Sequence, residues 1–231
     1  MQNGTKTSTH SRKTTIMTAT AFETNFWSKV SRKYAERPID NMEGYLDTLE
    51  RTKAHLRPTD NALEIGCGTG STALLLAPHV AHMTATDLAP GMIEVAREKL
   101  AEGGLDNVTF KIVDVPAHNP ADGPYDVVMA HNLLHLLKDL DAALEHIATL
   151  VAPGGLFISK TVCEPRAGGL KFNLVRRLAL PLMQLFGKAP FVNFLSAAQL
   201  DAKIELAGFE IIESADQTGF ALSRYLVARK T

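Results

Sequence analysis

The chain predicts an α/β fold in which helices cover both faces of a mostly parallel, doubly wound sheet, and three observations carry that reading. From about residue 61 onward, short apolar runs of strand length alternate with longer stretches in which apolar residues recur every three or four positions. The first run, Leu63-Glu64-Ile65, ends in Gly66-Cys67-Gly68-Thr69-Gly70, three glycines at alternate positions leading into the helical pattern Ser71 to Leu76. The next acidic residue, Asp87, closes a second strand-like run over 82–87. A length of 231 residues, with 45% hydrophobic and 21% charged, suits one large domain with a substantial core, so no second domain is required.

The elements follow in order. Residues 1–21 are rich in Ser and Thr, carry Lys6, Arg12 and Lys13, and have no acid before Glu23, so they read as a disordered leader, with a targeting segment as the alternative. Phe26, Val30 and Tyr34, then Tyr45, Leu46 and Leu49, give a pair of helices over 22–56 that Pro38 interrupts. Strands are expected near 61–66 and 82–87, then a helix from Pro90 to about Leu100 that Gly103-Gly104 terminates. A third strand near 108–113, a fourth near 125–130, a helix over 140–150, a turn at Pro153-Gly154-Gly155 and a fifth strand near 156–161 come next. After an insertion over 165–195, Ser196-Ala197-Ala198-Gln199 reads as a capping box opening a helix that Gly208 stops. Strands near 209–213 and 222–228 bring the total to seven.

Composition narrows the functions. With 24 lysines and arginines against 25 acidic residues, the chain lacks the basic excess of a general nucleic-acid binder. Cys67 and Cys163 offer neither a disulfide framework nor metal spacing, and His79, His82, His118 and His146 show no paired spacing, so no metal site and a reducing, cytoplasmic setting are expected. No uncharged apolar run reaches the ~18 to 20 residues that cross a bilayer.

The glycine spacing then discriminates between ligands. Only glycine turns this tightly and approaches a ligand without a Cβ clash. A dinucleotide fingerprint asks for glycine or alanine at position 71, where Ser71 stands. The pattern Glu64-x-Gly66-x-Gly68-x-Gly70 instead resembles motif I of the class I S-adenosylmethionine-dependent methyltransferases, with their Rossmann-like seven-stranded sheet and antiparallel last strand. The resemblance implies S-adenosyl-L-methionine as cofactor. It implies that Gly66, Cys67, Gly68 and Gly70 pass beneath its methionine part, with Glu64 near the ammonium or holding the loop. Asp87 would accept the ribose hydroxyls, Leu88 and Met92 would flank the adenine, Asp114 would lie beside the adenine amino group, and Val115 would offer the ring a backbone N–H.

The segment from Asp126 to His135 aligns with the family's motif IV, which places His131 and Asn132 closest to the sulfonium. It lacks the Asn-Pro-Pro-Tyr pattern of enzymes that methylate amide or base amino groups, which argues against those acceptors. Methyl transfer needs alignment first and a base only when the acceptor must lose a proton, so His131 is the first candidate base and His135 the second, with plain packing as the alternative for each. Trp27 and Tyr34 lie on helices that in the family often close the substrate pocket, and they also suit core packing.

The stretch 166–195 is where specificity is expected to reside. It is strongly apolar, includes Phe172, and its charges, Arg166, Lys171, Arg176, Arg177 and Lys188, are all positive. A helix from about Gly169, broken near Pro181, is the simplest reading. It would serve as a lid over an apolar substrate, lie on an anionic membrane, or pack on the sheet or on another subunit, as in a homodimer. Glu164 ends the fifth strand at the same mouth, where it would position a polar or cationic substrate group. The expected function is methyl transfer to O, S or N of a small, partly apolar acceptor. The alternatives are a phospholipid amine methyltransferase at a membrane surface and a non-catalytic cofactor-binding subunit.

Overall fold

A computed structural model describes residues 10–119, 122–166 and 169–231. Its seven-stranded sheet is built from β1 (Asn61–Ile65), β2 (His82–Asp87), β3 (Val108–Ile112), β4 (Tyr125–His131), β5 (Val151–Cys163), β6 (Phe209–Gln217) and β7 (Leu222–Lys230). The order across the sheet is β3-β2-β1-β4-β5-β7-β6. The first five strands pair in parallel, and β7 runs antiparallel between β5 and β6, as the resemblance implies. Strand order reverses between β1 and β4, which opens a crevice at their carboxyl ends.

Helices α1 (His10–Glu36), α2 (Met42–Lys53), α3 (Ser71–Leu76), α4 (Pro90–Gly103), α5 (Leu140–Leu150), α6 (Leu170–Leu174), α7 (Leu180–Leu185) and α8 (Ala197–Leu206) complete the fold. Leu49 of α2, Leu76 of α3 and Ile93 of α4 cover one sheet face with Met83, Met129 and Ile158. Leu144 and Ile147 of α5 and Leu200 and Ile204 of α8 cover the other with Leu63, Val128 and Phe157. The central strands are therefore buried on both sides, and their apolar content follows from that. Glu64 is the exception in β1, an acid only 1% exposed.

Local signals behave as expected at several ends. Gly104 adopts φ +67° and closes α4 through its N–H to Leu100 O. Both halves of the capping box at Ser196 and Gln199 form. Three expectations are revised. The first helix begins at His10, inside the stretch read as a leader, while residues 1–9 lie outside the described residues. The turn at 153–155 does not precede the fifth strand but lies within it. Tyr125 pairs with Val151 and Val127 with Leu156, so β5 bulges out around Gly154 at φ +72° and then resumes its register. The interruption of the inserted helix falls at Val175–Ala179, one turn before Pro181. There Leu180 N–H reaches back to Val175 O, a widened turn that accommodates the missing N–H and crowded ring of Pro181.

Candidate active site

The bend after β1 is held by backbone bonds, Cys67 N–H to Thr86 O at 2.8 Å and Gly70 N–H to Cys67 O at 3.0 Å. Its three glycines all have positive φ, at +68°, +54° and +74°. Their surroundings differ. A Cβ on Gly66 would stand 2.6 Å from Leu133 Cδ1, and one on Gly70 would stand 2.7 Å from Phe110 Cζ and 2.8 Å from Ala96 Cβ. A Cβ on Gly68 meets no heavy atom within 4 Å, so the middle glycine borders open space. Lys99 of α4 pins the bend by donating to Thr69 Oγ1 at 3.0 Å and Ser71 Oγ at 2.8 Å.

Asp87, at the end of β2, accepts from Gly68 N–H at 3.0 Å and from Ala89 N–H at 2.9 Å. Burial pushes its carboxyl upward from the usual range, and those two donors oppose the shift. A carboxylate so placed has lone pairs left for further donors. Leu88 is half-buried and Met92 buried at the start of α4. Asp114 is half-buried, and its Oδ1 already accepts from Val115 N–H at 2.8 Å, so the N–H expected to meet the adenine ring is engaged by the neighbouring side chain.

Glu64 and His131 form the buried centre of the crevice. Glu64 Oε1 lies 2.9 Å from His131 Nδ1, with the two side chains 2% and 7% exposed. With a proton on Nδ1, the imidazole presents the Nε2 lone pair. Glu64 Oε2 and His131 Nε2 are both buried without a hydrogen-bond partner in the protein, each an omission that costs about 1–3 kcal/mol. An ammonium donor beside Oε2 and a proton donor beside Nε2 would remove both costs. Cys67, next to this pair, has its thiol pushed well up by burial, with Glu64 and Asp87 adding to the effect, so it stays protonated and inert.

Aromatic side chains from α1 and α2 lie on the helices that follow the bend, α1 packing on α4 and α2 on α3. Trp27, half-buried, meets Phe26 edge-on at 5.2 Å between centroids and Tyr34 at 6.3 Å. Tyr34 is 49% exposed, so its ring borders the crevice from the solvent side rather than from the core. Tyr45, not expected as a site residue, stands 3.3 Å from Thr72 Oγ1, and burial and then the charge of Glu64 raise its phenol. In sequence it is one aromatic of an apolar helix stripe, and its polar tip is the only local signal.

The acceptor side is built less uniformly. Asn132 is exposed in the left-handed region at φ 57°, its N–H bonded to Lys160 O at 2.7 Å. His135 is buried, its Nδ1 has no partner, and burial pushes it down to about 4, which makes it a weak base. Glu164 is ion-paired with Arg176, so it faces a cation of its own chain, and its N–H bonds Leu195 O at 2.8 Å. Phe172 is buried against Phe194 at 5.6 Å and Phe220 at 5.8 Å, anchoring the inserted helix. Among the described residues no group of three or more His, Cys, Asp or Glu could hold a metal. No helix among them is long and apolar enough to cross a membrane.

Comparison with known proteins agrees with this geometry. Residues 26–214 match the family model described as a methyltransferase domain. A highly reducing polyketide synthase of Leptosphaeria maculans, PKS2, is 32% identical over 163 residues, 64% of this chain and 6% of that protein. A highly reducing polyketide synthase of Gibberella zeae, PKS6, is 35% identical over 152 residues, 60% of this chain and 6% of that protein. The chain thus spans a small fraction of these relatives. Among solved structures, magnesium protoporphyrin IX methyltransferase of Synechocystis PCC 6803 with bound S-adenosylhomocysteine superposes with TM-score 0.69 at 20% identity, covering 94% of this chain and 99% of that one. The [4+2]-cyclase SpnF superposes with TM-score 0.65 at 20% identity over 80% of each chain, so the fold by itself is shared by more than one chemistry.

Proposed function

The chain belongs to the methyltransferase domain family, and we propose that it carries a methyl group from S-adenosylmethionine to oxygen, sulfur or nitrogen of a small, partly apolar acceptor. The observation that carries this reading is the buried Glu64–His131 pair at 2.9 Å, with one free polar atom on each partner, beside an open-sided glycine bend. When bound, the cofactor supplies a methyl carbon already activated by positive sulfur. Gly68 allows it to lie close to the backbone, Glu64 Oε2 receives its ammonium, and Asp87 receives the ribose hydroxyls. Asp114 lies on the adenine side with Leu88 and Met92.

His131 stands at the end of β4, where the acceptor meets the methyl carbon. Its Nε2 takes the proton that an acceptor hydroxyl, thiol or amine releases as the new bond forms, and Glu64 steadies the resulting imidazolium. Trp27 and Tyr34 wall the acceptor on one side, and the inserted helix with Phe172 walls it on the other. Asn132 lines the entrance. Relatives that are polyketide synthases support a carbon-rich small molecule over a nucleic acid. The test is release of S-adenosylhomocysteine by the purified chain across a panel of aliphatic and aromatic alcohols, thiols and amines. Turnover confined to apolar members supports the proposal. Cofactor uptake by calorimetry with no release for any acceptor would instead make the chain a non-catalytic subunit.

A further inference from the structure

The inserted helix is turned inside out. Through α6, the widened turn and α7, the side chains at least half-buried against the protein are Phe172, Asn173, Arg176, Leu180 and Gln184, of which three are polar. Facing away are Leu174, Val175, Leu178, Leu182, Met183, Leu185 and Phe186, with Leu178 64%, Leu185 78% and Phe186 67% exposed. A helix that solvates its more apolar face is built for a surface other than water. Charge says which surface. Arg166 is engaged by Asp216 and Arg176 by Glu164, but among the described residues Lys171, Arg177 and Lys188 are exposed cations with no acidic partner. No acid interrupts the sequence from 166 to 195.

Apolar side chains flanked by free cations fit anionic lipid, where the chains enter the acyl boundary and the cations meet headgroup phosphates. A symmetric contact with a second copy would set the same three cations against each other. Residues 170–185 extend about 24 Å at helical rise, too short for the hydrocarbon core, so the helix lies in the plane of the surface.

We propose that residues 170–188 form an in-plane anchor that docks the protein on an anionic lipid bilayer. The inference is independent of the acceptor. The test is co-sedimentation of the full chain with vesicles of phosphatidylcholine alone and of phosphatidylcholine mixed with phosphatidylglycerol, with thermal melting as the folding control. The wild-type chain is expected to pellet with the mixed vesicles, to be released by salt, and to remain in solution with the neutral ones. Arg177→Glu/Lys188→Glu is expected to weaken binding at least about 25-fold, about fivefold for each cation removed. Leu178→Asp/Leu182→Asp is expected to abolish it. Failure to pellet with mixed vesicles overturns the proposal, as does equal pelleting with neutral ones or indifference to the charge reversals. A dimer that Leu178→Asp/Leu182→Asp dissociates, with no vesicle binding by the wild-type chain, assigns the face to a second copy instead.

Discussion

Gly68→Ala separates the two jobs that glycine performs in the bend after β1. All three glycines have positive φ, where an L side chain costs about 1–2 kcal/mol. At Gly68 that is the whole cost to the protein, because the new Cβ meets no heavy atom within 4 Å. At Gly70 the Cβ also drives into Phe110 at 2.7 Å and Ala96 at 2.8 Å, an overpacking that adds about 1–3 kcal/mol. With about 2–4 °C of melting temperature per kcal/mol for a chain of this size, Gly68→Ala should melt roughly 2–8 °C below wild type and Gly70→Ala distinctly lower. The ligand response should run the other way. Saturating S-adenosylhomocysteine at about 100 times its Kd adds about 2.7 kcal/mol to the wild-type protein, roughly 5–11 °C. In Gly68→Ala that rise should vanish, since the methyl group occupies the path assigned to the methionine part of the cofactor. Differential scanning fluorimetry with and without S-adenosylhomocysteine measures both quantities in one experiment. A Gly68→Ala protein that keeps the full ligand-induced rise would refute the placement, because the cofactor then does not cross this glycine.

Glu64→Gln and His131→Gln divide the central pair. Glu64→Gln turns the free acceptor atom into an amide, so S-adenosylhomocysteine affinity should fall about 10- to 100-fold, the equivalent of a lost charged hydrogen bond of about 1.5–3 kcal/mol. His131→Gln should leave that affinity within a few-fold while lowering kcat by about 100-fold or more for acceptors that must lose a proton. Calorimetry and turnover showing the reverse pattern would exchange the two roles. His135 sets a pH dependence of stability. Its folded pKa, down to about 4, lies below the ordinary 6.5, so as pH falls through 6.5 the unfolded chain takes up a proton that the folded chain refuses, and stability is lost progressively down to about pH 4. The loss amounts to at most about 3 kcal/mol. Urea midpoints for wild type and His135→Phe at neutral and acid pH should show a shallower acid loss in the variant, and equal slopes would count against the buried imidazole as the cause.

What the sequence disclosed of this fold follows from where local chemistry acts alone. Gly66, Gly68 and Gly70 announce a left-handed bend because that backbone costs other residues about 1–2 kcal/mol each, and Ser196 with Gln199 announces a helix start because both partners of the capping box lie within one turn. The Glu64–His131 bond joins residues 67 apart in the chain and depends on register. Glu64 pairs with Met129 across β1 and β4, which puts His131, two residues on, on the same sheet face, and only the strand pairing reveals that. The bulge in β5 is not legible in the sequence because a glycine such as Gly154 ends a strand and interrupts one by the same backbone geometry. Tyr45 reads in the sequence only as a helix-face residue, because an aromatic on an amphipathic helix looks the same whether it packs on core or on a functional loop. The inserted helix carries leucine on every side, so its periodicity could not tell which face the protein keeps.

One helix joins the cofactor half of the crevice to the acceptor half, and it is fastened unequally. In its second half α1 packs directly on α4, where Gly91 lets the backbones close to a distance that puts a notional Cβ 2.6 Å from Ser28 O, and Arg32 holds both Glu94 and Glu98. Nearer its start, α1 meets the inserted segment through Glu23, 3.4 Å from Phe191 N–H, and through Phe22 beside Gly187, and Glu23 also stands 3.7 Å from Lys138 before α5. Partly exposed contacts of that second kind are worth about 0–1 kcal/mol each, whereas backbone packing of the first kind cannot be loosened without displacing α4, whose start holds Asp87 through Ala89 N–H. Trp27 lies between the two attachments, and Tyr34 follows the one to α4. The crevice can therefore admit an acceptor at the Glu23 end without disturbing Asp87 or the glycine bend. On the proposed reading, those contacts would re-form around a bound acceptor and keep water from the Glu64–His131 pair.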